Sequence, residues 1–185
     1  MPTNTFHAQD EIAREQDQHL KALKLIEEAF IEYQKTKDYA GFAQALQSRC
    51  LIYKHLFLLT NDRAFAVIAR QDAKASLELA EFHDLQTVRG SSYFWLGEIE
   101  MLFEDFTQAV DYYRQALANY SGTDCEKGDY RYHLGEALYR SGDKEAGRRE
   151  LEQGLKEIQD NGHEVDSFLA HVWESGAHLR MADLS

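Results

Sequence analysis

Apolar residues recur along this chain at spacings of three and four, with polar residues between them, which is the signature of amphipathic helices. Over residues 9–34 the stripe Leu23, Ile26, Phe30 and Tyr33 predicts a single N-terminal helix, preceded by a flexible end at residues 1–8. The polar run Lys35-Thr36-Lys37-Asp38 closes it. A second helix is expected over about 39–59, on Phe42, Ala45, Leu46, Ile52, Tyr53 and Leu56. A third, over 63–83, is rich in small residues: Ala64, Ala66, Ala69, Ala73 and Ala80. Thr60-Asn61-Asp62 separates these two, and its short oxygen-bearing side chains can accept from the free N–H groups of a helix start. Further helices are predicted at about 86–103, 106–120, 127–141, 144–160 and 163–182. Their breaks fall at Glu104-Asp105, Ser121-Gly122-Thr123-Asp124, Ser141-Gly142-Asp143 and Asn161-Gly162. Eight helices with short connections imply antiparallel neighbours and an all-α fold.

A second pattern overlies the first. Leu96-Gly97, Asp105-Phe106, Ala109, Tyr113 and Ala116-Leu117 recur 38 residues later as Leu134-Gly135, Asp143-Lys144, Gly147, Leu151 and Gly154-Leu155. A fixed period of this length, with small and large apolar residues at matching places, predicts stacked helical hairpins. Small residues let two helix backbones approach, and the large ones fill the space beside them.

In these residues the chain resembles the tetratricopeptide (TPR) repeat family. The match is strongest over 90–160 and weaker elsewhere, where Cys50, Tyr53, Ala73, Leu77 and Ala80 would form an earlier unit. Glu100 and Leu138 stand where the family usually has an aromatic, and the proline that ends each unit is absent. The resemblance implies a right-handed superhelix of antiparallel hairpins, a TPR-like α-α solenoid forming one domain over 9–185. Its parts would be an N-terminal helix at 9–34, units at 39–83, 86–120 and 127–160, and a capping helix at 163–182.

The resemblance also implies a concave groove lined by the first helix of each hairpin. In this register the groove would carry Gln47, Lys54, Phe94, Glu98, Met101, Tyr132, Glu136, Tyr139, Arg140, His171 and Glu174. Gln44, His55 and Asp129 share those faces. Glu98, Glu136 and Glu174 are spaced 38 apart, so an acidic row along one wall is expected. Acids interleaved with aromatics suit a protein or peptide partner bearing Lys or Arg and apolar anchors. Clamping of a C-terminal carboxylate, which some family members perform with Lys and Asn, is rejected because Glu98 and Glu136 occupy the places it needs.

Composition narrows the alternatives. Apolar residues make up 44% of the 185-residue chain and only one proline is present, Pro2, which favours a helical, globular chain. The net charge of −12 argues against nucleic acid and against anionic membranes as partners. The most apolar run, Leu51 to Leu59, is too short to span a bilayer, and no signal peptide is visible, so a cytoplasmic setting is expected.

Cys50 and Cys125 form no C-x-x-C pair. His171, Glu174 and His178 share a helix face but lack a metal-binding motif, and are read as polar surface. With no phosphate-cradling glycine loop and no activated nucleophile, no enzymatic activity, cofactor or metal is expected. The leading expectation is an adaptor or scaffold for a partner protein. Two alternatives are a chaperone-like holder of a secreted or aggregation-prone client and a self-assembling structural module. As to oligomeric state, both monomer and homodimer are open.

Overall fold

A computed structural model describes residues 5–184, apart from the side chain of Glu15. All regular structure among them is helical. In order come α1 (Thr5–Glu15), α2 (His19–Thr36), α3 (Tyr39–Thr60), α4 (Arg63–Phe82), α5 (Gln86–Leu102), α6 (Phe106–Ala118), α7 (Asp124–Ser141), α8 (Lys144–Asn161) and α9 (Ser167–Asp183). A short 3₁₀ turn, Gly162–Glu164, precedes α9. Among the described residues no helix is long and apolar enough to cross a membrane.

The helix count differs from the expected eight because the stretch at 9–34 is two helices. Asp17 takes a left-handed backbone at φ 56°, its N–H donates to the Arg14 carbonyl at 3.0 Å, and the Gln18 N–H donates to that of Ala13 at 2.9 Å. This is the bond pair of a Schellman helix end. The polar run Glu15-Gln16-Asp17-Gln18 offers no apolar side chain to carry the stripe through, and Asp tolerates the left-handed region better than most residues. Helix α1 begins at Thr5, so Thr5–Ala8 are helical rather than a flexible end, while Met1–Asn4 lie outside the described residues.

The same helix end recurs. Lys37, Asp84 and Glu104 have φ of 56°, 51° and 59°, and Gly142 has 111°. In each case the N–H of the next residue reaches back five positions: Asp38 to Tyr33, Leu85 to Ala80, Asp105 to Glu100, and Asp143 to Leu138. At three of these turns the following Asp caps the next helix. Asp38, Asp105 and Asp143 accept from the N–H groups of Gly41, Gln108 and Ala146. One residue stops a helix and its neighbour starts another, so hairpins form across very short turns.

The chain divides within α5 into two compact units, Met1–Trp95 and Leu96–Ser185. In the first, α1 packs on α2, α2 on α3 and α3 on α4, and α1 also reaches α3. Ile26, Ala29, Phe30, Ala45 and Leu46 form one part of its core, and Ala13, Ala22 and Ile52 another. In the second, α6 packs on α7, α7 on α8 and α8 on α9, and α7 also reaches α9.

The repeated phrase lies in the core of that second unit. Leu96, Tyr113, Leu134 and Leu151 are all buried. A Cβ on Gly97 would meet the Tyr113 ring at 2.7 Å, and one on Gly135 would meet Leu151 at the same distance, so the 38-residue period reproduces one packing relationship. Between α7 and α8 backbone also meets backbone. Gly128 faces Gly154, and a Cβ on either would come within 2.7 Å of the other's carbonyl oxygen.

Candidate functional site

Two polar constellations stand out, one in each unit. In the second unit α7 presents Asp129, Tyr132, His133 and Glu136 on one side, as the 3.6-residue turn requires. His133 sits between two carboxylates, with Nδ1 at 2.7 Å from Glu98 Oε1 and Nε2 at 3.7 Å from Asp129 Oδ1. The Tyr113 hydroxyl donates to Glu98 Oε1 at 2.6 Å. Burial, followed by the nearby Glu98 charge, raises the Tyr113 hydroxyl well above its ordinary value, so it remains a donor. Burial pushes the Asp129 carboxyl up to about 6, opposed by His133 and a hydrogen bond from Tyr132.

Glu136 is held by two arginines. Arg140 Nε donates to its Oε1 at 2.9 Å, and Arg180 Nε, from α9, donates to its Oε2 at 2.6 Å. The Arg180 guanidinium also lies over the Tyr132 ring, 5.1 Å from its centroid. Glu174 accepts instead from Gln159 Nε2 at 2.8 Å.

The three acids expected as an open row therefore each have a partner within the chain. Glu98 is only 5% exposed. The physical reason is that a carboxylate taken out of water needs donors, and the helices that cover these faces supply them.

In the first unit α1, α2, α3 and Trp95 of α5 line an open cavity of about 400 Å³. His7 bridges it, with Nδ1 2.9 Å from the Tyr33 hydroxyl and Nε2 2.9 Å from Ser48 Oγ. Burial lowers the His7 pKa, which keeps the imidazole neutral, with one ring nitrogen donating and the other accepting. Leu51 and Trp95 supply apolar lining, and Glu11, Arg14 and Gln44 supply charge and hydrogen-bonding groups. Gln47 also lines the cavity, but its amide is committed to a buried hub, donating to Ser76 Oγ and Ser92 Oγ at 3.0 Å each.

The remaining expected groove residues are placed as follows. Phe94 is buried edge-on to Trp95, with centroids 5.6 Å apart. Lys54 and Met101 are half-buried, and His171 is exposed. Tyr139 is half-buried beneath Lys144 Nζ, 5.2 Å from the ring, and Arg148, at 5.7 Å. Arg140 is exposed and bound to Glu136 as described.

Sequence reasoning missed His7, Arg14, Tyr33, Ser48 and Trp95 as a cavity, and Arg180 as the partner of Glu136. Residues 1–8 read as an end rather than a helix, so His7 had no face to be assigned to. Glu136 and Arg180 are 44 residues apart and share no motif. Among the described residues no group of three or more His, Cys, Asp or Glu side chains could hold a metal ion. The chain matches no protein-family model and no curated protein.

Proposed function

We propose that this chain is a TPR-like adaptor, a superhelical stack of hairpins that acts in the cytoplasm by binding a short segment of a partner protein. The observation that carries this reading is the cavity of about 400 Å³ in the first unit, within the size range of ligand sites, lined by an apolar base and convergent polar groups. Leu51 and Trp95 would take an apolar side chain of the bound segment, and Gln44 and Arg14 would bond its backbone or polar groups. Rigid helices hold these groups in place, so little order has to be imposed on binding.

A photo-crosslinking residue at position 44 tests the proposal in living cells. A discrete partner should be captured, and capture should fall at least tenfold when Trp95 is changed to Ala. Purified partner fragments should then bind wild type and fail to bind Trp95→Ala. No discrete crosslink from position 44, or capture indifferent to Trp95→Ala, would remove the cavity as the binding site.

One observation favours a second reading, a holder of an aggregation-prone client. Where α3 ends and α4 begins, Leu58, Leu59 and Val67 are 60%, 70% and 49% exposed. Exposed apolar side chains suit transient capture of unfolded chains. A holder would suppress aggregation of an unfolded client at stoichiometric ratios, and Leu58→Ser with Leu59→Ser would abolish that protection.

A further inference from the structure

Helix α9 meets α7 through a small residue and an arginine one turn apart. Gly176 lies against the Tyr132 hydroxyl so closely that a Cβ there would come within 2.9 Å of it. Arg180, four residues on, donates to Glu136 Oε2 at 2.6 Å and covers the Tyr132 ring. The receiving residues, Tyr132 and Glu136, are likewise four apart, so one turn of α9 is read by one turn of α7. Burial opposes the Arg180 charge, while Tyr132, Glu136 and Glu98 support it, so the face is built for a cation.

The rest of α9 is lightly held. Ala177 is its one buried residue among those described, whereas α7 buries ten. Trp173 and Met181 are partly buried against the core, but Phe168, Leu169, Val172 and Leu179 are 64%, 41%, 47% and 66% exposed. An element with few buried apolar contacts opens at lower free energy than the helices beneath it.

We infer that the face of α7 carrying Tyr132 and Glu136 is a docking surface for an arginine-bearing helix, and that α9 occupies it in cis. The matching partner presents a small residue and, four positions later, an arginine, as Gly176 and Arg180 do. Arginine is specified over lysine because its planar guanidinium can lie over the Tyr132 ring while its Nε bonds Glu136. This inference rests on the adaptor reading and supplies partner chemistry for the second unit. Its test uses a defined peptide at the second unit, so its failure is separable from that of the first-unit cavity.

The probe is a fluorescent peptide with the sequence of residues 167–183, added to the full chain as wild type and as Arg180→Ala. The variant should bind it at least tenfold more tightly than wild type, because the cis occupant has been weakened. A peptide carrying Ala in place of its own arginine should bind neither protein. In hydrogen exchange the α9 amides of Arg180→Ala should exchange at least tenfold faster than in wild type, with α8 unchanged. Equal peptide binding by the two proteins, binding that ignores the peptide's arginine, or unchanged α9 exchange would each overturn the inference. Should Arg180→Ala lose its helical signal, Arg180→Lys serves in its place. It keeps the charge but not the stacking plane, and should give a gain in peptide binding of about threefold.

Discussion

A Cβ on Gly135 would lie 2.8 Å from the carbonyl oxygen of Gly147, and a Cβ on Gly147 would lie equally close to that of Gly135. The obstacle in both directions is backbone, which cannot rotate aside as a side chain can. Gly135→Ala and Gly147→Ala must therefore push α7 and α8 apart, and each should destabilise the fold by about 3 kcal/mol, the upper end of overpacking effects. Gly162→Ala is the contrast. Its nearest neighbour is the Ala170 Cβ at 3.5 Å, ordinary contact distance, and the change should stay within about 0.5 kcal/mol. Urea unfolding of the three variants distinguishes these outcomes, and equal midpoints would refute the close-approach argument.

Arg49 makes a bidentate pair with Asp72, Nε to Oδ2 and Nη2 to Oδ1 at 2.8 Å each, and its third nitrogen reaches Glu27. Asp72 is 5% exposed. Removing the arginine leaves a buried carboxylate without its fork, so Arg49→Ala should lose about 3 kcal/mol. Removing both charges should be milder. Arg49→Met combined with Asp72→Leu is expected to recover at least half of the loss, as read from denaturation midpoints in a double-mutant cycle.

Asp10 is fully buried, and neither of its carboxyl oxygens has a hydrogen bond among the described residues. Burial pushes its pKa up to about 7, partly offset by Arg14. A raised folded value means that the protonated form is the one the fold stabilises. That stability is present in full below the unfolded value of about 4 and is lost as pH rises through 7. Asp129, up to about 6, and Asp72, also raised, act in the same direction. His55, pushed down to about 4 by burial, and His7, also lowered, act oppositely and remove stability as pH falls below about 6.5. Asp10→Asn should therefore stabilise the protein by about 2 kcal/mol more at pH 8 than at pH 5. An effect independent of pH would show that Asp10 titrates alike in both states.

Cys50 and Cys125 are both fully buried, and burial raises the Cys125 thiol further, aided by Glu164 and Asp129. Only the thiolate reacts. Under native conditions neither should react with Ellman's reagent on the minute timescale, and two equivalents should appear at once in denaturant. Rapid native labelling would mean that α3 or α7 opens far more readily than its packing implies.

The helices from α3 to α8 were legible in the sequence because apolar spacing and Asp-centred turns mark them redundantly. The core role of Leu96, Tyr113, Leu134 and Leu151 follows from the 38-residue period for the same reason. The break at Asp17 was hidden, since no glycine or proline announces it. The candidate site was less legible than the fold. Periodicity assigns Glu98 and Glu136 to a helix face, but whether another helix covers that face depends on residues far along the chain. Tyr113 and Arg180 do that covering, and nothing local to either glutamate encodes them.

The left-handed helix ends carry a last consequence. Asp17, Lys37, Asn61, Asp84 and Glu104 hold a conformation that disfavours a side chain by roughly 1 kcal/mol, while Gly142 holds it freely. They lie at separate turns, and none of them is among the residues that line the first-unit cavity or that bind Arg180 on α7. Glycine at each of the five should therefore add small, nearly additive increments of stability. The turns are thus a reserve through which the fold can be made more robust without changing either polar constellation.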